Sequence, residues 1–531
     1  MPRQSGTHDT QARRRAAGEG SILALIAGIG ALVYASTAYG LVGHAGLPLD
    51  DSWIHLQFAR SLAAGDGLAF EAGALVSGST APLWTALLAL LVALPGSAVV
   101  WSQLLGAVFS ALGVAAFYGL ARELRLSRAL GLFAASSMIA TGPLTWAAVS
   151  GLEIPLFVLL TLLGVRLHLR DRGRDRGLSY SLPVLALSAL ARPEGLLLLG
   201  LALADRALAV RGRWRPWLAG VAPGLTLAAL LLVPVASFNL AVSGSLLPTT
   251  FAAKSGGVSS LWPSLRYLHT VLGILFRSQP YLTVLAGAGI VALGRRLGTD
   301  DDRGLLPALW CVGLPLAYSC LGSSGSALVG NFGRYHYPLF PFVILLGCLG
   351  VGELARRRPA AGTRARRLGL IVAGGLVLLP TVIHWGITAG QFALSVRNVE
   401  DGNVAAARWL GSRLAAGATL AVNDIGAIKY LLPEHEIYDL AGIVTPEVHA
   451  FTRAAVAQRR PWEEGIRRYL ESVRPDYLVV FPAWFPTLLS AGVSFQPQRE
   501  FAIPGNIALG GDRLVIYTTP WTRQTQLATA P

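Results

Sequence analysis

The sequence predicts a mainly α-helical, polytopic membrane protein, a bundle of about eleven transmembrane helices with a small exoplasmic α/β domain at its C-terminus. Three observations carry this. Of 531 residues, 53% are hydrophobic and only 14% charged, with a mean hydropathy of +0.53, whereas soluble domains carry roughly 25% charged residues. Apolar runs long enough to cross ~30 Å of hydrocarbon recur along the chain. The arginines gather in short clusters between alternate runs, as in cytoplasmic loops.

The runs place helices near 21–42, 98–120, 129–149, 153–169, 178–191, 195–210, 216–238, 279–294, 304–320, 337–354 and 367–387. Segments 1–20, 121–128, 170–177, 205–215, 295–303 and 356–367 together hold 24 of the 44 Lys+Arg residues. The opposite loops before residue 390 hold few, Arg60, Arg192, Lys254, Arg266 and Arg334 among them. The asymmetry predicts a cytoplasmic N-terminus. Segment 81–94 is apolar but short for a crossing, and if it crossed, Arg122, Arg125 and Arg128 would change sides. It therefore reads as a juxtamembrane or re-entrant helix in the first outer loop, 43–97. Segment 178–210 is broken by Arg192-Pro193-Glu194-Gly195 and flanked by arginines, so it reads as two short helices meeting at the outer face. The expected division is a basic tail over 1–20, a membrane module over 21–390, an exoplasmic α/β domain over 391–520 and a disordered tail over 521–531. Within that domain Val404–Ala415 reads as a helix, and Leu420–Val422, Tyr477–Phe481 and Leu514–Tyr517 as buried strands.

The net charge of +15 suggests nucleic acid at first sight. No basic stripe interleaved with aromatics exists, which sets that class aside. Cys311, Cys320 and Cys348 all lie in apolar runs and give neither a disulfide framework nor a metal site. The apolar run 21–42 behind Arg13-Arg14-Arg15 is too long for a signal-peptide core and reads as the first span.

With this topology the polar groups fall on one side, where ionisable residues near a membrane interface are functional candidates. The first outer loop carries Asp50-Asp51-Ser52-Trp53-Ile54-His55, then Arg60, with Trp84 further on. One acid capping a helix over about 52–64 would be ordinary. Two adjacent acids exceed that need: one can act as a general base, and the other can orient it or hold a divalent cation. His55 beside them reads more readily as structural, and the nine histidines show no metal-ligand spacing. Glu153 can cap the helix that has Pro155 in its first turn. Arg192 and Glu194 can form a structural pair at the hairpin top, or Arg192 can bind an anionic headgroup. Lys254, one of two lysines in the chain, suits a point-charge contact to phosphate. Arg334, followed by Tyr335, can snorkel or clamp a phosphate through two parallel bonds. An acidic pair facing such cations can deprotonate an acceptor hydroxyl and hold a departing phosphate, both of which sugar transfer from a lipid phosphate requires.

These motifs resemble the C-type (GT-C) membrane glycosyltransferases, and among them the branch of the mycobacterial terminal arabinofuranosyltransferase. Asp50-Asp51-Ser52-Trp53-Ile54, the stretch Arg60 to Phe70 and Ala81-Pro82-Leu83-Trp84 are similar to its first-loop signature. Ser150-Gly151-Leu152-Glu153, Arg192-Pro193-Glu194-Gly195, Leu247 to Lys254, Arg334-Tyr335, Asn423 to Ala427 and Asp439 to Gly442 follow in family order. Ser52-Trp53, Thr249 and Ser77-Gly78-Ser79-Thr80 depart from it. The resemblance implies a polyprenyl-phosphate-sugar donor, a glycan, lipid or protein acceptor, inversion at the anomeric centre, and a bacterial plasma membrane as location. It implies Asp50 as base, Asp51 assisting it or holding a cation, Arg192, Lys254 and Arg334 on the lipid phosphate, and Glu153 positioning acceptor or base. Two other classes compete. A transporter or flippase of lipid-linked sugars would line a path through the midplane. A non-catalytic envelope scaffold would depend on its outer domain and tolerate changes at Asp50 and Asp51.

Overall fold

The computed structural model describes residues 4–172, 179–209, 214–249, 261–297, 299, 305–320, 331–356, 363–490 and 495–522. The chain opens with helix Gln4–Val42, so the expected basic tail is helical from Gln4 onward. A first loop follows, built of helix Asp50–Ala64, a small hairpin of β1 (Ala69–Glu71) and β2 (Ala74–Leu75), and helix Pro82–Val92. The bundle then comprises Ala98–Glu123, Arg128–Ile139, Gly142–Ala148, Ile154–Asp171, Ser181–Ala191, Gly195–Ala209, Trp214–Ser243, Leu261–Ser278, Pro280–Arg296, Leu306–Cys320, Phe340–Arg356 and Thr363–Val399.

By length and composition, five helices among the described residues can cross a membrane: Arg14–Val42, Ala98–Glu123, Trp217–Ser243, Phe332–Arg356 and Val372–Gly411. A sixth span arises if Leu265–Ser278 and Pro280–Arg296, bent by 117°, are taken as one. The expected count of about eleven is not reached by this measure among the described residues. Helices Pro82–Val92, Arg128–Ile139, Ser181–Ala191 and Leu306–Cys320 are apolar but short, below the ~20 residues a full crossing takes. Segment 129–149, expected as one helix, breaks at Ala140-Thr141, where Pro143 enters the first turn of the next helix. Gln279, at the corner of the bent pair, donates from Nε2 to the Ser137 carbonyl (3.0 Å) and to Thr141 Oγ1 (2.9 Å), satisfying the broken turn. Helix Leu261–Ser278 was not expected, because Arg266, His269 and Arg277 interrupt its apolar pattern.

Beyond the bundle the chain forms a five-stranded sheet in the order β4-β3-β5-β7-β6, from β3 (Leu420–Val422), β4 (Ile437–Asp439), β5 (Tyr477–Val480), β6 (Gln496–Ala502) and β7 (Arg513–Thr518). β4, β3 and β5 run parallel, while β7 pairs antiparallel with both β5 and β6. Alternate residues face opposite cores, as the two-residue period of a strand requires. Leu420, Val422, Tyr477 and Val479 pack with Ile54, Phe58 and Phe70 of the first loop. Ala421, Leu478 and Val480 pack with Ile466, Tyr469 and Leu470 of helix Trp462–Val473. One face of the sheet therefore closes partly with its own domain's residues, such as Leu410 and Ile428, and partly with side chains from the first loop. The boundary drawn at 390 falls inside helix Thr363–Val399, which continues through a π-helical turn, Glu400–Val404, into Ala405–Gly411. Most of the expected tail, 523–531, lies outside the described residues.

Helices Pro280–Arg296 and Phe340–Arg356 meet backbone to backbone. A Cβ on Gly289 would lie 1.9 Å from the Leu346 carbonyl oxygen, and one on Gly347 would lie 2.6 Å from that of Leu282. Gly289→Val should cost about 1–3 kcal/mol by overpacking, read as a lower melting temperature of the purified protein. Gly287→Val, where nothing lies within 4 Å, should leave the melting temperature unchanged.

Candidate active site

The acidic pair opens helix Asp50–Ala64, and its two members turn to different partners. Asp50 Oδ2 accepts from the Gly426 amide (2.6 Å), while Oδ1 accepts from the Ala427 amide (2.9 Å) and from Asn403 Nδ2 (2.9 Å). These are the amides that open the short helix Gly426–Leu431, which Asp50 caps from another part of the chain. At its other end Arg60 Nη1 donates to the Tyr430 carbonyl (2.7 Å) and stacks over the Tyr430 ring at 4.7 Å, and Trp53 packs on the same ring. One helix thus offers a carboxylate to the positive end of another and a guanidinium to its negative end. Gly426 permits the approach, since a Cβ there would lie 2.2 Å from the Asp50 carbonyl oxygen.

Asp51 faces the bundle. Its Oδ2 accepts from Arg334 Nη2 at 2.5 Å; the Arg334 side chain is 5% exposed and that of Asp51 32%. Among the described residues Arg334 Nη1 is buried with no hydrogen-bond partner. Arg334 lies over the Tyr335 ring at 5.5 Å, and Arg192 lies over the same ring at 5.0 Å. Arg192 is buried and gripped by two acids: Nη1 donates to Glu153, Nη2 to Glu194 Oε1 (2.7 Å) and Nε to Glu194 Oε2 (3.3 Å). Tyr318 also donates to Glu194. His55 Nε2 lies 3.2 Å from Glu153 Oε2. An unbroken set of contacts therefore runs from Asp51 through Arg334, Tyr335, Arg192 and Glu153 to His55, assembled from four separate stretches of sequence.

Backbone pins hold this cluster at the helix ends. Ser52 Oγ donates to the Ser150 carbonyl (2.7 Å), and Trp84 Nε1 to the Gly151 carbonyl (3.1 Å). Gly151 has φ +77°, and a Cβ there would meet Leu47 at 2.9 Å. His336 Nδ1 faces the Gly333 carbonyl and its Nε2 the Tyr267 hydroxyl (2.5 Å), fixing the turn that presents Arg334.

Asp50, Asp51, Glu153, Arg192, Glu194, Arg334, Tyr335 and His55 thus converge, while Arg60 and Trp84 serve as braces beside them. Lys254 lies outside the described residues. Arg192, matched by two carboxylates, is a poorer phosphate ligand than Arg334. Three N–H donors occupy Asp50 and an arginine pairs with Asp51, and no group of three or more His, Cys, Asp or Glu among the described residues could hold a metal ion. Sequence reasoning left Asn403, Asp424, Gly426 and Tyr318 out of the site. The glycine two residues after Asp424, opening a helix behind a buried strand, was a usable signal; Tyr318, inside an apolar run, gave none.

Three acids around the sheet edge sit above their ordinary range. Burial raises the Asp50 carboxyl, against the pull of its three N–H donors. Burial and the neighbouring Asp50 hold Asp424 well above the usual carboxylate range. Burial pushes Asp439 to about 6, although the amides of Ala441, Ile443 and Val444 all donate to it.

The sequence profile described as "Domain of unknown function (DUF8728)" matches residues 394–524. No curated protein matches the sequence. ArnT from Cupriavidus metallidurans in the apo state is similar in structure, with a TM-score of 0.58 at 16% identity over 93% of this chain and 97% of that one. The same protein bound to undecaprenyl phosphate gives 0.58 at 14% identity over 96% and 98%. The archaeal oligosaccharyltransferase AglB from Archaeoglobus fulgidus, in complex with an inhibitory peptide and a dolichol-phosphate, gives 0.54 at 11% identity over 94% and 76%. These likenesses show a shared fold, and the helices long and apolar enough to cross a membrane are this chain's own.

A carboxyl raised in the folded state holds its proton more tightly there than in the unfolded chain. Its stabilisation is complete below the unfolded value near pH 4 and is lost as pH rises through the folded value, about 6 for Asp439. Melting temperature should therefore fall between pH 5 and pH 7.5. Asp424→Asn should flatten that slope and raise the melting temperature at pH 7.5, read from thermal melts across the range. Arg192→Met, which strands Glu153 and Glu194, should cost about 3–5 kcal/mol, read as a loss of melting temperature.

Proposed function

We propose that the chain is a membrane glycosyltransferase that moves a sugar from a polyprenyl-phosphate donor to a hydroxyl of an envelope glycan, lipid or protein, on the exoplasmic face and with inversion at the anomeric carbon. The observation that carries this reading is the buried Arg334, one N–H group paired to Asp51 and the other buried without a partner among the described residues. A guanidinium in that state is completed by an anionic oxygen, and a phosphate there sits beside an acid able to accept a hydroxyl proton. Undecaprenyl phosphate in ArnT and dolichol-phosphate in AglB support a lipid phosphate as the anion.

In this reading Arg334 stabilises charge that develops on the departing phosphate, and Lys254 adds a second cation. Arg192, Glu153 and Glu194 hold the helix ends that frame the donor. An acid of the Asp50–Asp51 pair activates the acceptor. The basic clusters of the alternate loops support an N-terminus in the cytoplasm of a bacterial plasma membrane. Because the motif order resembles the arabinofuranosyltransferase branch, pentofuranosyl donors belong beside hexosyl donors in any test.

Purified protein incubated with a panel of radiolabelled polyprenyl-phosphate sugars and a membrane-envelope acceptor fraction should transfer label from at least one donor. Arg334→Gln should lower that rate ~100-fold or more with the melting temperature within a few degrees of wild type. Absence of transfer from every donor, or full activity in Arg334→Gln, would overturn the reading.

A further inference from the structure

We propose that the sheet domain rests on the membrane through an apolar rim of Val456, Trp462, Trp484 and Ile507, which seats in the headgroup layer of the leaflet that helix Thr363–Val399 leaves. The partner is a phospholipid surface, and the contact goes beyond the transfer reaction and needs no catalytic activity.

Single exposed apolar residues are ordinary on any protein surface. Here they gather. Among the described residues beyond Gly411, the large apolar side chains that stand exposed are these four. Strand pairing brings them to one edge of the sheet. β5 runs parallel to β3 and antiparallel to β7, so the ends of β3 and β5 and the start of β7 share that edge. Trp484 follows the end of β5, and Ile507 lies in the loop that precedes β7. Trp462 packs on Phe485, the neighbour of Trp484, with ring centroids 5.5 Å apart. Val456 joins it across a tight connection, in which the Arg459 amide donates to the Val456 carbonyl (2.9 Å) and the Arg460 amide to the Ala455 carbonyl (3.0 Å).

This edge is the one turned toward the bundle. After β3 the Gly426 amide meets Asp50 (2.6 Å). Before β7 the Ile507 amide donates to Asn398 Oδ1 (2.9 Å), and Asn398 Nδ2 donates to the Pro504 carbonyl (3.4 Å). Asn398 gives the height. Lower on its helix Leu376, Leu379, Ile383 and Ile387 are exposed, as side chains facing hydrocarbon are. Gln391 is the first exposed polar side chain after them, and Asn398 lies two turns, about 10 Å, beyond it on the same face. Helix Gln4–Val42 agrees, because His44, just past its end, pairs with Glu400 at 3.3 Å. The loop around Ile507 therefore hangs at the height of lipid headgroups, over the apolar exposed side of the long helix.

The chemistry of the rim suits that layer. Trp484 Nε1 donates to the Gly510 carbonyl (2.6 Å), and a Cβ on Gly510 would lie 2.8 Å from the ring. The indole is thus held against backbone with its N–H satisfied and the rest of its surface outward, the state in which tryptophan favours a membrane interface. Arg459 and Arg460, exposed between Val456 and Trp462, offer guanidinium groups to lipid phosphates. Glu464 faces Arg460 at 3.5 Å but is held more closely by Arg467, at 2.6 Å. A glycan strand could stack on the two indoles, yet it would need hydrogen-bonding partners beside them, and Val456 and Ile507 offer none.

The full chain, one copy per lipid nanodisc, tests this in two ways. In a background of Cys311→Ala, Cys320→Ala and Cys348→Ala, a fluorophore is placed at Ile507→Cys, Ala483→Cys or Gln458→Cys. Ser472→Cys, exposed at the far end of helix Trp462–Val473, is the reference. The three rim labels should lose most of their emission to phospholipid spin-labelled near its headgroup and should resist iodide in the water. The reference label should be quenched by iodide and ignore the lipid. In the chain with its native cysteines, brominated phospholipid should remove a smaller fraction of the tryptophan emission from Trp462→Phe with Trp484→Phe than from wild type. The proposal is overturned if the rim labels behave as the reference does, or if that fraction rises when the two indoles are removed. Shielding from iodide without quenching by lipid, the mark of a glycan or a protein on the rim, would overturn it equally.

Discussion

A guanidinium buried among helix ends must be matched by charge, and Arg192 sets the terms for everything around it. Leaving it unpaired would cost several kcal/mol, so Glu153 and Glu194 are drawn to it, and Tyr318 and His55 follow them. Arg192 ends Ser181–Ala191, Glu153 and Glu194 precede Ile154–Asp171 and Gly195–Ala209, and Tyr318 lies in the last turn of Leu306–Cys320. Satisfying one arginine therefore fixes the relative depth of Ile154–Asp171, Ser181–Ala191, Gly195–Ala209 and Leu306–Cys320. It also leaves both Arg192 and Arg334 over the Tyr335 ring, so the Asp51–Arg334 pair inherits its position from the Arg192 cluster.

A second constraint joins the bundle to the sheet. Apolar packing by Ile54, Phe58 and Phe70 supplies area, and the carboxylate and guanidinium of Asp50 and Arg60 supply register. Lys429, whose side chain is 3% exposed, closes the seam with bonds to Glu71 (2.5 Å) and the His435 carbonyl (2.8 Å). The hydrophobic part would tolerate sliding; the hydrogen-bonded part would not, because amide donors and carbonyl acceptors occur at fixed spacings along Gly426–Leu431.

Much of this was legible in the sequence for definite reasons. Charges are scarce in so apolar a chain, so Asp51, Glu153, Arg192, Glu194 and Arg334 stood out before any geometry was known. The strands were legible through short buried runs bounded by turns, and β3 and β5 fall where those runs lie. Three features were not legible. The break at Thr141 depends on Gln279, a residue 138 positions away. Helix Leu261–Ser278 carries charges spaced along its exposed face, which defeats a search for uninterrupted apolar runs. The division of Asp50 from Asp51 rests on which partner each side chain meets, and adjacent identical residues carry no such information in one dimension.

The uninterrupted passage from Thr363 to Gly411 has a practical meaning for anyone recombining this scaffold with a relative. The helical path is continuous from the bundle to Gly411, so rotation at one end of the rod is delivered to the other. Chimeras spliced at the compositional change near 390 would sever a rod mid-shaft and reset its helical phase. Grafts that carry the whole rod together with helix Asp50–Ala64 would move as one mechanical part.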